Sequence, residues 1–204
     1  IKARVTPIMA AEKHALVALG ANLNFGTFPP KAIIEKALAC FALEGLELSA
    51  VSRLYETPCF PAGAGPDYVN AAAIVTLRHD QTPEQILAAL HKVEHDFGRS
   101  RSSRWAGRSL DLDLLAVGSV VAPDLATYQR WQTLAPADQA QLAPAQLILP
   151  HPRLQDRAFV LVPLAEIAAE WRHPVSGQTV MQMLQALPAA DREAVRVLPQ
   201  DDAF

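Results

Sequence analysis

Apolar residues recur along this chain with two periods, and the switches between them mark its elements. Residues 14–19 are a short apolar run read as a strand, ended by the turn signal Gly20-Ala21-Asn22-Leu23. After Pro29 and Pro30 the period becomes helical: Ile33, Ile34, Ala37, Leu38 and Phe41 share one face, and Gly45 suits the C-terminal stop. Residues 46–55 read as a second strand whose apolar positions, Leu46, Leu48, Val51 and Leu54, slip once, as at a bulge. Pro58, Pro61, Gly63, Gly65 and Pro66 make residues 56–67 a loop. Residues 68–77 are apolar and small enough for a central strand. Thr82-Pro83-Glu84-Gln85 then opens a helix, with Thr as N-cap, Pro at the first helical position and Gln closing a capping box. Ile86, Leu87, Leu90, Val93 and Phe97 form its buried stripe, and Gly98 ends it.

Residues 98–113 break the pattern. Gly, Ser and Arg dominate the first half, which reads as a loop, while Leu110, Leu112 and Leu114 alternate with Asp111 and Asp113 in the second. A pleated strand sends both carboxylates to one face, roughly 7 Å apart. Gly118-Ser119 turns into Val120-Val121. Residues 123–144, rich in Ala, Gln and Pro around Tyr128 and Trp131, read as an insertion with a short helix. Residues 147–149 return to strand, and Pro150-His151-Pro152-Arg153 is a turn. Residues 157–167 are an apolar helical segment interrupted at Pro163, and Gly177 precedes an amphipathic helix through Val180, Met183, Leu184 and Leu187.

The order strand, helix, strand, strand, helix, strand predicts an α+β fold. Its core is a ferredoxin-like antiparallel sheet (βαββαβ) with helices on one face, extended by extra C-terminal helices. Residues 14–188 are read as one domain, 1–13 as an N-terminal extension whose first eight residues precede Met9, and 189–204 as a polar tail.

Composition narrows the class. With 204 residues, half of them hydrophobic, one substantial core is affordable. The net charge of -3 gives no global attraction to nucleic acid or acidic membrane, so the arginines of the loop are a local device. Two cysteines, Cys40 and Cys59, make neither a disulfide framework nor a metal knuckle, and they read as reduced thiols in a cytoplasmic protein. No apolar run reaches the ~20 residues of a membrane span.

The candidate chemistry lies in the broken pattern. Paired carboxylates on a rigid strand suit Mg²⁺, which takes oxygen ligands and shares them with substrate phosphates. Arg99, Arg101, Arg104 and Arg108 carry planar forks that match phosphate oxygens. The same residues also describe a solvated strand face and a soluble connection, so pattern alone leaves both readings open. Trp105, a large aromatic in a polar loop, favours a planar ligand. Asn70, inside an apolar strand, is either a satisfied core amide or a ligand contact. No P-loop, kinase Gly-rich loop, Cys-x-x-Cys or Gly-x-Ser-x-Gly is present, which favours magnesium and phosphate.

Several motifs, in order, resemble the 6-hydroxymethyl-7,8-dihydropterin pyrophosphokinase family over about residues 14–167. They are Leu19-Gly20-Ala21-Asn22-Leu23, Tyr55-Glu56-Thr57-Pro58, Pro66-Asp67-Tyr68-Val69-Asn70-Ala71 and Glu94 with Gly98-Arg99. Further on come Arg104-Trp105 with Arg108-Ser109-Leu110-Asp111-Leu112-Asp113, Pro150-His151-Pro152, and Arg157-Ala158-Phe159 with Pro163-Leu164.

The resemblance implies transfer of the β,γ-pyrophosphoryl group of ATP to the hydroxymethyl oxygen of a reduced pterin, releasing AMP, in folate biosynthesis. It implies two Mg²⁺ ions with ATP on Asp111 and Asp113, and Arg99 and Arg108 steadying phosphate charge. The pterin would stack on Phe159 and Tyr68 and be read by Asn70 and by the segment holding Thr57, Pro58 and Phe60, with Trp105 sealing the site. Glu94, Arg99, Arg101, Arg108, His151 and Arg157 would contact ATP. The expected partners are ATP and 6-hydroxymethyl-7,8-dihydropterin, with no nucleic acid and no membrane, for a monomeric chain. Residues 98–107 would act as a lid.

Three departures stand out: Ala106-Gly107 replaces Gly-Pro after the loop Trp, His91 stands where Gln is frequent, and Gln146 where a basic residue is frequent. Two rivals use the same residues, a silent phosphate- or RNA-binding module and a two-metal nuclease or phosphatase. Asp111 and Asp113 argue against the first, since uncompensated acids repel a phosphate backbone. The second leaves Asn70, Trp105 and Phe159 without a role.

Overall fold

A computed structural model describes residues 14–59, 65–98, 109–135, 138 and 142–199. Its centre is a six-stranded antiparallel sheet. Strand β1 (His14–Ala21) lies between β5 (Asp111–Val117) and β4 (Tyr68–Thr76), and the outer side of β4 carries both β2 (Glu47–Val51) and β3 (Tyr55–Thr57). With β2 and β3 taken as one broken strand, this is the expected ferredoxin-like βαββαβ arrangement.

Helix α1 (Pro30–Cys40) starts with Pro at its first position, continues as a single 3₁₀ turn, and stops at Gly45. There φ is +73°, a conformation glycine adopts without strain. Helix α2 (Pro83–Asp96) has the expected capping box, Thr82 and Gln85 satisfying each other's backbone N–H. Such a cap contributes about 1 kcal/mol. Ile33, Ile34, Ala37 and Phe41 on one helix, and Ile86, Leu90, Val93 and Phe97 on the other, pack against Ala15, Val17, Leu19, Ala71, Val75 and Leu112 of the sheet.

The pattern misled in several places. The first strand does not stop at Leu19: Gly20 and Ala21 remain in register with Asn70 and Val69, because a glycine flanked by two strands stays in the ladder. The second strand breaks where Ser52 Oγ accepts from Ala72 N at 2.9 Å, a side chain standing in for a ladder group. Residues 147–149 form no strand, only an isolated bridge between Leu149 and Ala122. Pro163 does not interrupt its segment. It is buried within one continuous helix, α4 (Ala158–Ala168), where contact with the sheet outweighs the lost backbone hydrogen bond.

Helices also cover both faces of the sheet, not one. Leu16, Ala72, Leu115 and Ala116 on the second face pack against Val160, Leu161 and Leu164 of α4 and Val180 and Met183 of α5 (Val180–Ala186). After Pro188, where a polar tail was expected, come α6 (Ala189–Glu193) and β6 (Arg196–Val197), the latter pairing with β3. The insertion holds helix α3 (Leu125–Gln132), capped by Asp124, whose Oδ1 accepts from Thr127 N at 2.8 Å.

Candidate active site

The site follows from side-chain alternation in β1. Ala15, Val17 and Leu19 face α1 and α2, while Leu16, Ala18 and Gly20 face the other way and become smaller along the strand. Leu16 is covered by the C-terminal helices. Ala18 pairs with Asp113 and Ala72, and Gly20 with Asp111 and Asn70. The sheet therefore has a floor of small residues between two carboxylates on β5 and an amide on β4.

Above this floor lies a cavity of about 570 Å³. Asp111, Asp113, Asn70 and Tyr68 reach it from the sheet, Thr57 and Pro58 from the end of β3, and His151, Arg157 and Phe159 from the turn and first residues of α4. Asn70 is only 5% exposed. Its Nδ2 donates to Thr57 Oγ1 at 2.7 Å, which leaves Oδ1 toward Gly20, where a Cβ would lie 3.3 Å from it. The two readings of Asn70 thus merge, since a satisfied amide also lines the cavity. Phe159 is 40% exposed, with the Arg157 guanidinium 5.7 Å from its ring centroid.

A second cavity, about 610 Å³, adjoins the first and shares Asp113, His151 and Arg157 with it. These three residues form the seam. Arg157 Nη1 donates to Asp113 Oδ2 at 3.5 Å, a half-exposed and long pair that contributes little to stability. His151 Nδ1 accepts from Arg153 N at 3.1 Å, so the neutral ring carries its proton on Nε2. Desolvation, with the Arg157 guanidinium second, pushes its pKa down to about 3. The seam therefore sets a neutral imidazole beside the Asp113–Arg157 pair.

Among the described residues no group of three or more His, Cys, Asp or Glu is placed to hold a metal ion. Asp111 and Asp113 alone would leave most of an ion's shell to water and ligand oxygens, the habit of Mg²⁺ when it accompanies phosphates. The donor set fits that ion.

Of the residues singled out from sequence, Thr57, Pro58, Tyr68, Asn70, Asp111, Asp113, His151, Arg157 and Phe159 converge on the first cavity. Glu94 does not. It is 1% exposed, and its Oε1 accepts from Leu112 N at 2.8 Å, bracing the Asp strand from α2. Phe60, Arg99, Arg101, Arg104, Trp105 and Arg108, and with them the lid, lie outside the described residues. Sequence reading missed Ala18 and Gly20 on the floor, and Trp131 and Leu142 on the second cavity. The shrinking series Leu16, Ala18, Gly20 was the available signal for the floor.

The family model described as 7,8-dihydro-6-hydroxymethylpterin-pyrophosphokinase (HPPK) matches residues 16–169. The chain belongs to this family. A 2-amino-4-hydroxy-6-hydroxymethyldihydropteridine pyrophosphokinase of Synechocystis is 37% identical over 172 residues, covering 84% of this chain and 74% of the relative. One from Pseudomonas aeruginosa is 36% identical over 178 residues, covering 86% and 93%. Among solved structures, the HPPK-DHPS of Plasmodium falciparum superimposes with a TM-score of 0.57 at 14% identity over 85% of this chain, a likeness of fold. This HPPK chain spans 44% of that longer one. Among the described residues no helix is long and apolar enough to cross a membrane.

Proposed function

We propose that this HPPK-family enzyme transfers the terminal pyrophosphoryl group of ATP to the hydroxymethyl oxygen of 6-hydroxymethyl-7,8-dihydropterin, giving the pterin diphosphate and AMP for folate biosynthesis. The observation that carries the reading is the pair of adjoining cavities sharing Asp113, His151 and Arg157. Two substrates that must meet head to head need such a seam.

The pterin occupies the first cavity, its ring against Phe159 and Tyr68 and its polar edge toward Asn70 and the Thr57–Pro58 backbone. ATP occupies the second, with its phosphates at the seam. Asp111 and Asp113 would hold Mg²⁺, which would neutralise polyphosphate charge there. His151 donates from Nε2 to a phosphate oxygen, and Arg157 turns from Asp113 to the phosphates. Glu94 acts through the Asp strand instead of touching ATP. Arg99, Arg101 and Arg108 bring further positive charge, and Phe60 and Trp105 complete the pterin pocket. Positioning and charge neutralisation suffice for phosphoryl-type transfer, and no covalent nucleophile is needed. A cytoplasmic monomer with two free thiols belongs to the same proposal.

Incubation with ATP, Mg²⁺ and the hydroxymethyl-dihydropterin, followed by nucleotide analysis, tests it. AMP in step with pterin diphosphate is expected. ADP or free phosphate in its place would mean a different reaction, and no turnover with retained phosphate binding would mean a silent module.

A further inference from the structure

The second cavity is walled on one side by the insertion. Trp131 from α3, and Leu142 and Pro144 beyond it, line it together with Leu87 and His91 of α2 and the residues of the seam. Its lining thus joins apolar and aromatic side chains to Arg153, Arg157 and His151. That combination matches a nucleoside polyphosphate, which joins a planar base to a charged tail.

The wall is fixed in place by contacts that a loose surface loop lacks. The insertion is pinned at its base by the Ala122–Leu149 bridge, with reciprocal backbone hydrogen bonds of 2.9 and 3.1 Å. Tyr128, one turn before Trp131, is 0% exposed, and its hydroxyl meets His173 Nε2 at 3.0 Å. Trp171 closes edge-on against the same imidazole at 5.9 Å between centroids. One aromatic of α3 anchors the helix in the protein, and the next remains half-buried on the cavity.

We infer that Trp131 is the residue on which the base of the nucleoside triphosphate stacks, so that helix α3 serves as the base-holding wall of the nucleotide site. The inference rests on the ATP reading above. It assigns base contact to Trp131, which leaves the phosphates to the seam and the pterin to the first cavity.

The test is equilibrium binding of ATP, and separately of inorganic triphosphate, each with Mg²⁺, to the full chain and to its Trp131→Ala and Trp131→Phe variants. Trp131→Ala should weaken ATP about ten-fold, in the range of lost base–aromatic stacking. It should leave triphosphate within two-fold, and Trp131→Phe should restore most of the ATP affinity. Unchanged ATP affinity in Trp131→Ala would overturn the inference. So would equal weakening of ATP and triphosphate, because a wall that merely supports the seam affects both. Failure of the unaltered chain to bind ATP at all would instead overturn the underlying ATP reading. Thermal melting of both variants, expected within a few degrees of the parent, separates loss of contact from loss of fold.

Discussion

One face of one sheet does two opposite things in this molecule. At the Leu16 end, Leu16, Ala72 and Leu115 are sealed beneath α4 and α5. At the Gly20 end, two strand pairs away, the same face carries Asp111, Asp113 and Asn70 around an open cavity. The difference lies in where α4 begins. Its body, Val160, Leu161 and Leu164, covers the sealed half, while Arg157 and Phe159 at its start overhang the open one. The pairing of β1 with β4 runs unbroken across both halves, while β1 and β5 shift register once between Leu16 and Val17, and side-chain size and charge change along the face. Stability and catalysis should therefore be separable by mutation along a single strand face.

The largest separation should come from the carboxylates. Asp113→Ala should lower turnover by 10³-fold or more, corresponding to about 4 kcal/mol of transition-state stabilisation, within the several kcal/mol that metal neutralisation supplies. Its folding stability should change by less than about 1 kcal/mol, since the residue is half-exposed and its pair with Arg157 is long. Steady-state AMP formation and urea unfolding check the two halves of the statement. Near-normal turnover would remove Asp113 from the site.

The converse belongs to the sealed half. Leu161 is fully buried, so Leu161→Ala should cost about 2–5 kcal/mol of stability through lost transfer energy and a cavity. Turnover per folded molecule should remain within a few-fold below the melting transition. If activity fell with no loss of stability, the two halves would be coupled through α4 and the separation would fail.

Smaller effects probe the floor. A Cβ at residue 20 would approach Asn70 Oδ1 to 3.3 Å, so Gly20→Ala should push that amide by a few tenths of an ångström. The expected outcome is a several-fold rise in KM for pterin with KM for ATP unchanged. Asn70→Ala should do the same more strongly, because Thr57 Oγ1 loses its partner and the ligand its reader. Equal effects on both substrates would place Asn70 in the scaffold alone.

How much of this was legible in the sequence follows the same division. The capped helix at Thr82, the Asp111/Asp113 alternation and the order of elements depend on local periodicity, and they stand in the structure as read. The end of β1 did not, because Gly20-Ala21 opens a stretch of turn composition and yet is held in the ladder, Gly20 by strands from about 50 and 90 residues away and Ala21 by the nearer of them. Pro163 misled for a similar reason, as tertiary packing overrode a local breaker. The nine residues converging on the first cavity were named together through motif resemblance, while the pattern of polar and apolar positions alone supplied the two aspartates and Asn70. Trp131 was invisible as a cavity residue because only the Ala122–Leu149 closure and the Tyr128 anchor bring its helix to the seam.

The smallest effect expected concerns two histidines, one at the open half and one beside the sealed half. In each, Nδ1 accepts a backbone N–H from two residues ahead, Arg153 for His151 and Val175 for His173, at 3.1 and 3.2 Å. Desolvation by burial opposes the charge at both sites, so both pKa values are lowered. A group whose folded pKa lies below its unfolded value contributes its full stability above the unfolded pKa, about 6.5 for histidine. The contribution then drains as pH falls from there toward the folded pKa. For His151 that window runs from about 6.5 down to about 3. His173 contacts neither cavity, so His173→Asn, which keeps an acceptor and cannot titrate, isolates its share. The stability of the parent should fall more steeply than that of His173→Asn between pH 7 and 5, measured by urea unfolding, while pterin affinity at pH 7.5 stays equal. Parallel pH curves would show that His173 binds its proton equally well in the folded and unfolded chain, contrary to its burial and to its two accepted backbone hydrogen bonds from Val175 and Ser176.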